Sequence, residues 1–420
     1  MTEAHVVGER IAYHRKRLGL SQVEFAGLIG RSESWVSQVE RGVRAVDRMS
    51  VLQHVADALG VTVDELRGTE TDEPGDTYER PEALETLRMV LTGHPAVATL
   101  LSGIEVPICT EDQLNELRAA HATVWPMVHA SQYSELAPVL AELIPELERA
   151  ARSDTNATVI RVARELLTDT YQAAAAMLAK ISETDAAWIA ADRATFTAEM
   201  LADRAALTAE SIPSVLLVAA SLFRMAHVFL SLGQIDQAEA VARDSVNALE
   251  QRIAAEPTPQ ALSLTGAFHL VLAIAAARDN NRDEALSHLD RAREIASITG
   301  DDRNDFDTEF GSTNVALHAV GVAVELGDAG TALDLARQID VKWLSPERQA
   351  RYLLDLAYAH VMRRQIGEAL HCLEEAERLT PEQTRGHRVA RSVARDLIQL
   401  SGSRPRPELR ELAERFGILP

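Results

Sequence analysis

Cysteine is nearly missing from this chain of 420 residues, with only Cys109 and Cys372, far apart. That excludes a disulfide scaffold and a multi-cysteine zinc site. Lysine is rarer than its size warrants: Lys16, Lys180 and Lys342 are the only three among 42 cations, the rest being arginine. Aromatic residues make up 4%. No apolar run is seen to approach the ~20 residues that span a bilayer. The stretch from Met1 to Arg10 is polar, so neither a membrane segment nor a signal peptide is expected. A reducing cytoplasm is the expected compartment. Positive charge is short overall: 42 Lys and Arg against 63 Asp and Glu leave −21. Such a chain cannot bind DNA or an anionic membrane over its whole surface. Also missing are a phosphate-cradling G-x-x-x-x-G-K-[ST], a G-x-G-x-x-G after a strand, and H-E-x-x-H. There are thirteen histidines, but no two are four residues apart. Neither an enzyme nor a cofactor or metal site is expected.

The charge that is present is uneven. Residues 1–68 hold nine Arg or Lys and nine Asp or Glu, a net of zero, so the remainder carries the whole −21. If nucleic acid is bound, this segment binds it. It reads as five short helices. The first runs from Gly8 to Leu18 and is stopped by Gly19. Ser21 can cap the second, with Glu24 at capping-box spacing. Val23, Phe25, Ala26, Leu28 and Ile29 are expected to supply the buried side of the second helix, and Gly30 ends it. Ser32 caps a third helix, Glu33 to Arg41, ended by Gly42. A fourth spans about Asp47 to Leu59, and Asp64 to Arg67 makes a last turn. Residues 69–80 (TETDEPGDTYER) are acidic, hold Pro74 and Gly75, and read as a linker.

From Pro81 onward no strand pattern emerges. One unit recurs: a helix, a short polar turn, and a second helix whose early alanine packs against the first. The turns are Ser131-Gln132, Ser182-Glu183, Leu232-Gly233, Asp279-Asn280, Leu326-Gly327 and Arg363-Arg364. The alanines are Ala137, Ala187, Ala238, Ala285, Ala332 and Ala369, spaced by 50, 51, 47, 47 and 37 residues. In the last copy Ala357, Ala369, Ala376 and Pro381 fall at the spacings of a tetratricopeptide repeat. The longer spacings elsewhere imply longer helices or loops, such as Glu256 to Gln260 and Gly300 to Ser312. The paired acids in the second loop, Asp301-Asp302 and Asp305-Asp307, read as solvated charge. After a break at Ser401 to Pro407, Leu409, Leu412, Ala413 and Phe416 share one face of a short helix. It is expected to cap the last repeat. The expected fold is all-α, a DNA-binding domain at 1–68 followed by an α-solenoid of helical hairpins at 81–400 and a capping tail at 401–420.

Residues Ser21 to Gly42 (SQVEFAGLIGRSESWVSQVERG) resemble the helix-turn-helix of the phage-repressor family of Cro and XRE type. The resemblance rests on Leu18-Gly19-Leu20-Ser21-Gln22, Ala26, Gly30, Ser32, Val36 and Glu40-Arg41-Gly42, and covers about a sixth of the chain. It implies that the second motif helix enters the major groove, where every base pair shows a distinct donor and acceptor pattern. The outward face there holds Glu33, Ser34, Ser37 and Gln38, with Ser32 at its start. Gln38 can pair bidentately with adenine. Glu33 can accept from cytosine N4, or it can serve the helix N-terminus instead. Gln22 falls where the family places a glutamine for phosphate and supporting contacts. Arg41, Arg44 and Arg48, joined by Arg31, are expected on phosphates or in the minor groove. Arg15 matches the position that pairs with the glutamate at Glu40. Trp35 reads as packing or a backbone contact rather than a base contact.

A repressor-type domain followed by such repeats resembles the peptide-sensing regulators of Gram-positive bacteria and a set of actinobacterial regulators. Phe310 to Leu333 is similar in pattern to the second group. The resemblance implies a transcriptional regulator that binds double-stranded operator DNA and takes a peptide or protein segment in its repeats. A homodimer is expected because one domain of ~60 residues offers too small an interface for tight specific binding. The first helix of each unit is expected to line the groove. Inward candidates are Phe223, His227, Arg278, Asn314, Glu325, Arg351 and Tyr358. Asn314 can hold a peptide backbone through both its donor and its acceptor, or it can cap the helix beginning near Thr313. Arg278 and Arg351 can take a carboxylate. The rival reading is a protein-interaction scaffold whose DNA-binding domain is vestigial.

Overall fold

The computed structural model describes residues 3–42, 44, 46, 49–61, 63, 66, 82–93, 101, 108–152, 156–205, 211–300, 303–401 and 406–418. Arg48, the linker at 69–80, Asp301-Asp302 and the turn at 64–67 apart from Leu66 lie outside them. Among the described residues every element is helical. The N-terminal unit includes, among the described residues, α1 (Glu3–Arg17), α2 (Gln22–Leu28), α3 (Glu33–Glu40) and α4 (Met49–Leu59). Ile11, Phe25, Val36, Val39, Leu52 and Leu59 are among the residues that close a core of their own, whereas Val23 and Leu28, expected inside, are exposed. α1 begins five residues before the expected Gly8. Gly8 does not break it because that glycine sits where α1 crosses α3. A Cβ there would stand 2.1 Å from the Val39 carbonyl oxygen.

The second unit contains α5 (Glu82–Gly93), α6 (Glu111–His121), α7 (Val124–Ala130), α8 (Tyr133–Arg152), α9 (Ala157–Lys180), α10 (Thr184–Ala205), α11 (Ser211–Ser231), α12 (Ile235–Ala255), α13 (Pro259–Arg278), α14 (Arg282–Thr299), α15 (Ser312–Glu325), α16 (Ala329–Ala336), α17 (Pro346–Met362), α18 (Ile366–Leu379), α19 (Pro381–Gly386), α20 (Arg388–Leu400) and α21 (Pro407–Arg415). Six antiparallel hairpins, from α7–α8 to α17–α18, turn at the six places the repeat pattern marks. Each turn holds one left-handed residue: Ser131, Ser182, Gly233, Asn280, Gly327 and Arg364. In each, the next amide donates to the carbonyl five residues back, as in Glu183 to Leu178 at 2.9 Å and Gln365 to His360 at 2.9 Å. This satisfies a carbonyl that the helix end leaves unpaired, and it offsets the ~1–2 kcal/mol that a left-handed residue with a Cβ costs. The six alanines are all buried. There the lack of a long side chain lets paired helices approach.

The first helices α9, α11, α13, α15 and α17 pack on one another in sequence, and their partners form an outer layer. α13 is long and apolar enough to cross a membrane, contrary to the sequence expectation. It is instead enclosed by α11, α12, α14 and α15. α21 buries Leu409, Leu412 and Ala413 against the end of the solenoid, and Phe416 just beyond it is buried too. Arg415 fastens it to Glu377 at 2.8 Å.

The superhelix closes on itself. α7 reaches α17, and α8 reaches α19. Ser131 Oγ and Tyr133 Oη both donate to Gln383 Oε1, at 2.7 and 2.9 Å. Lys180 Nζ lies 3.2 Å from Glu347. The expected open groove is therefore the wall of a ring around a chamber.

Candidate nucleic-acid interface and interior chamber

The helix-turn-helix is fixed by local chemistry. The Ser21 side chain accepts from the Glu24 amide at 3.2 Å, and Glu24 accepts from the Ser21 amide at 2.8 Å. Ser32 caps α3 by accepting from the Trp35 amide at 3.2 Å. Gly30, between the helices, has φ +61°, a conformation that residues with a Cβ adopt at a cost. Arg15 grips Glu40 through Nε at 2.5 Å and Nη2 at 3.0 Å, as the motif implies. It also donates to the Leu20 carbonyl at 2.5 Å. Gln22 joins this network by donating to Glu40 Oε2 at 2.7 Å.

The outward side of α3 is free of the rest of the molecule. Arg31, Ser32, Glu33 and Ser34 are exposed, Ser37 and Gln38 half-buried, and Arg41 and Arg44 exposed. The contacts there are local and weak. Gln38 Nε2 lies 3.4 Å from Ser34 Oγ, and Arg41 Nε donates to the Ser37 carbonyl at 3.0 Å. Trp35 packs on the edge of the small core with the Arg31 guanidinium 5.4 Å from its ring centre, in line with packing. Arg48, outside the described residues, has no place in this geometry.

The opposite side of the unit is clamped to the solenoid. Arg17 Nη2 meets Asp396 of α20 at 2.6 Å, and both side chains are buried. Lys16 Nζ donates to Asn280 Oδ1 at 3.2 Å. Gly19 is left-handed, and a Cβ on it would stand 2.4 Å from the Met362 carbonyl oxygen of α17. His14 stands among Arg17, Arg10 and Arg388, and burial with these cations lowers it to about 3. Tyr358 was expected in the groove. It is instead buried beside Tyr13 and Arg17, under α1, and does not line the chamber. It lies near the α1-facing end of α17, about one turn past Asp355, and there the small domain covers it.

The chamber encloses about 1930 Å³, above the ~300–1,000 Å³ of ordinary small-molecule sites. His227, Arg278, Asn314 and Arg351 line it, as does Phe223. His227 stands edge-on to Phe223 with ring centres 4.6 Å apart. Arg278 is engaged within the protein, donating to Glu325 Oε1 at 3.0 Å and to the Leu230 carbonyl at 2.7 Å. Glu325 serves as that partner. Arg351 lies 3.2 Å from Asp355 and 3.4 Å from His387 Nε2. The capping alternative for Asn314 fails: α15 starts at Ser312, its cap residue is Gly311, and no side chain caps it. Asn314 is buried, and its Oδ1 has no hydrogen-bond partner.

Several chamber residues had no distinct signal in the sequence: His129, Lys180, Arg224, His318, Glu347 and Arg348. Spaced charges on helices look like solvated faces until the ring closes. Burial pushes the Arg224 guanidinium down to about 10. Burial and neighbouring Arg348 hold His318 at about 4, and burial with Arg351 holds His387 at about 3. Against the cost of burial, Lys180 and Arg348 pull Glu347 below its usual range.

The loop between α14 and α15 was read as solvated. In fact it enters the chamber. Arg224 Nη2 donates to the carbonyls of Phe306 and Asp307 at 2.7 and 3.0 Å. His129 Nε2 lies 3.2 Å from Asp307, and Arg348 Nε lies 3.1 Å from Glu309. Phe310 is seated against Gly266, where a Cβ would stand 2.0 Å from its ring. Phe306, Asp307 and Glu309 are all left-handed, with φ near +50°. One ligand atom each from His129, Glu309 and Glu347 lies within a 4.8 Å span. Lys180 pairs with Glu347 there and Arg348 with Glu309, making the cluster an ion-pair network.

Residues 6–68 match the helix-turn-helix domain family. Over 64 residues the chain is 39% identical to the uncharacterized HTH-type transcriptional regulator YazB of Bacillus subtilis (strain 168), which is 15% of this chain and 91% of that protein. Two solved structures are similar at low scores. One is Bacillus thuringiensis PlcR in complex with the peptide PapR7 and DNA, with TM-score 0.35 and 12% identity over 86% of this chain and 98% of that one. The other is the apo form of the competence regulator ComR from Streptococcus vestibularis, with TM-score 0.21 and 13% identity over 73% of this chain and 97% of that one. Both likenesses are too slight to bear on the chamber.

Proposed function

This chain belongs to the helix-turn-helix transcriptional regulators, and we propose that it reads operator DNA with α3 as a homodimer under the control of a peptide or protein segment held in the chamber. Gln38, Ser34 and Ser37 read base edges. Arg31, Arg41, Arg44 and Arg48 hold phosphates, and Gln22 steadies Glu40 beneath them. Glu33 serves the N-terminus of α3, where its charge meets the helix dipole. A single small domain offers a small interface, so two copies on two half-sites supply specificity.

The observation that carries the reading is the placement of α17 and α20. α17 presents Glu347, Arg348, Arg351 and Asp355 to the chamber, and its far end lies under Gly19. α20 presents Arg388, Arg391 and Arg395 to the chamber and Asp396 to Arg17. A shift of either helix on ligand binding reaches the DNA-reading unit directly. Coupling of this kind requires a ligand that favours one arrangement of the two helices over the other. The scaffold reading gains no support, because the side of α3 that would meet DNA is left uncovered.

Genome-wide occupancy of the intact protein, beside a Gln38→Ala/Arg41→Ala variant, tests this. Sharp palindromic sites lost in the variant are expected. Identical occupancy in both would sink the DNA-reading role.

A further inference from the structure

Residues 303–310 (RNDFDTEF) form an acidic strap whose Asp307 and Glu309 line the chamber, with Phe306 and Phe310 on either side of those carboxylates. Three of its carbonyls, those of Phe306, Asp307 and Thr308, and both those carboxylates are taken by Arg224, His129 and Arg348, from three different helices. Its backbone is held left-handed at three residues that carry a Cβ, an arrangement that persists only where surrounding contacts impose it. The polar atoms of the wall that are buried without a hydrogen-bond partner include Asn314 Oδ1, an acceptor, and Arg224 Nε, a donor. A peptide backbone offers both donors and acceptors and so carries the kind of group that each atom needs. A fully deprotonated anion such as sulfate offers only acceptors and leaves Asn314 unmet.

We propose that the strap occupies the place of the effector's own acidic segment, and that the effector is a short acidic peptide carrying an aromatic side chain, which displaces the strap from His129, Arg224 and Arg348. This rests on the reading of the chamber as the effector site. The exchange suits burial: the cations keep carboxylate partners throughout, so no charge is left bare. The strained strap is the weaker holder and gives way.

The probe is a synthetic peptide of sequence RNDFDTEF, titrated by fluorescence anisotropy against the full chain. The proteins are the wild type, Asp307→Asn/Glu309→Gln with its strap loosened, and that variant with Arg348→Gln added. At least tenfold tighter binding to the loosened variant than to the wild type is expected. Adding Arg348→Gln should weaken that binding at least tenfold, as should replacing the peptide's acids by their amides. Absence of binding to the loosened variant, equal binding of the amide peptide, or equal competition by inorganic phosphate would each overturn the proposal. In case the loosened variant does not fold, hydrogen exchange of the unaltered protein gives an independent answer. Saturating peptide should speed exchange of the 303–311 amides, and unchanged exchange at millimolar peptide refutes displacement. The occupancy experiment on Gln38 and Arg41 does not involve the strap, so failure here is distinguishable from failure of the regulator reading.

Discussion

The outward face of α3 and the wall of the chamber are both polar, yet they are built by opposite rules. On α3 the side chains are exposed or half-buried, and their bonds are local, such as Gln38 to Ser34 at 3.4 Å. In the chamber Arg224, Glu347 and Asp355 are buried and Lys180, Glu309 and Arg348 half-buried, and most meet partners far away in sequence, as Lys180 meets Glu347. A face in water can keep its side chains idle, because water serves them until DNA arrives. A buried charge cannot wait, because its desolvation costs several kcal/mol unless it is paired. The first surface therefore gains a partner on binding, and the second must exchange one. That is why the sequence pattern points to the first and hides the second.

The largest expected effect falls on the clamp that joins the two surfaces. Asp396→Ala leaves the buried Arg17 guanidinium without its carboxylate and should cost about 3–5 kcal/mol. Faster hydrogen exchange at the end of α1, with the solenoid unchanged, is the readout, and unaltered exchange there would contradict the clamp. Gln38→Ala comes next, with about 1–3 kcal/mol lost in operator binding, specific to one base position. A uniform loss across all sequences would place Gln38 on the backbone instead. Gly266→Ala should cost about 1–3 kcal/mol, since the added methyl must push Phe310 aside. Exchange of the strap amides should rise with it.

A further effect is the pH response. His318 and His387 are held neutral at about 4 and about 3, below an unfolded value near 6.5. Between those values and 6.5 the unfolded chain binds more protons, so stability falls as pH drops through that window. His318→Gln should flatten the fall in melting temperature between pH 6.5 and 4. An unchanged slope would mean that His318 is not held neutral.

The helix-turn-helix was legible because its signals are local. A capping box, glycines at left-handed turns and an apolar stripe on α3 each act within a few residues. The repeat phase was legible for a related reason. Ser131, Ser182 and Arg364 are poor turn signals alone, but an alanine five or six residues on marks each one. Long-range closure was not legible. Nothing near Asp307 or Glu309 announces that Arg224 and Arg348 will meet them, so the strap read as solvated loop. Asn314 read as a groove residue or a cap, and the ring decides its surroundings. Tyr358 read as inward because only the docked N-terminal unit shows that this end of α17 is covered.

The central claim is that the chamber and the DNA-reading face are coupled through α17 and α20. A double-mutant cycle on operator affinity tests it. One arm loosens the strap with Asp307→Asn/Glu309→Gln. The other removes the clamp's ion pair with Arg17→Met/Asp396→Leu, which replaces a buried pair by apolar side chains. The account predicts that the loosened strap changes operator affinity at least fivefold when the clamp is intact and not when it is cut, within the 1–3 kcal/mol usual for coupled sites. Strap and clamp effects that simply add would contradict it.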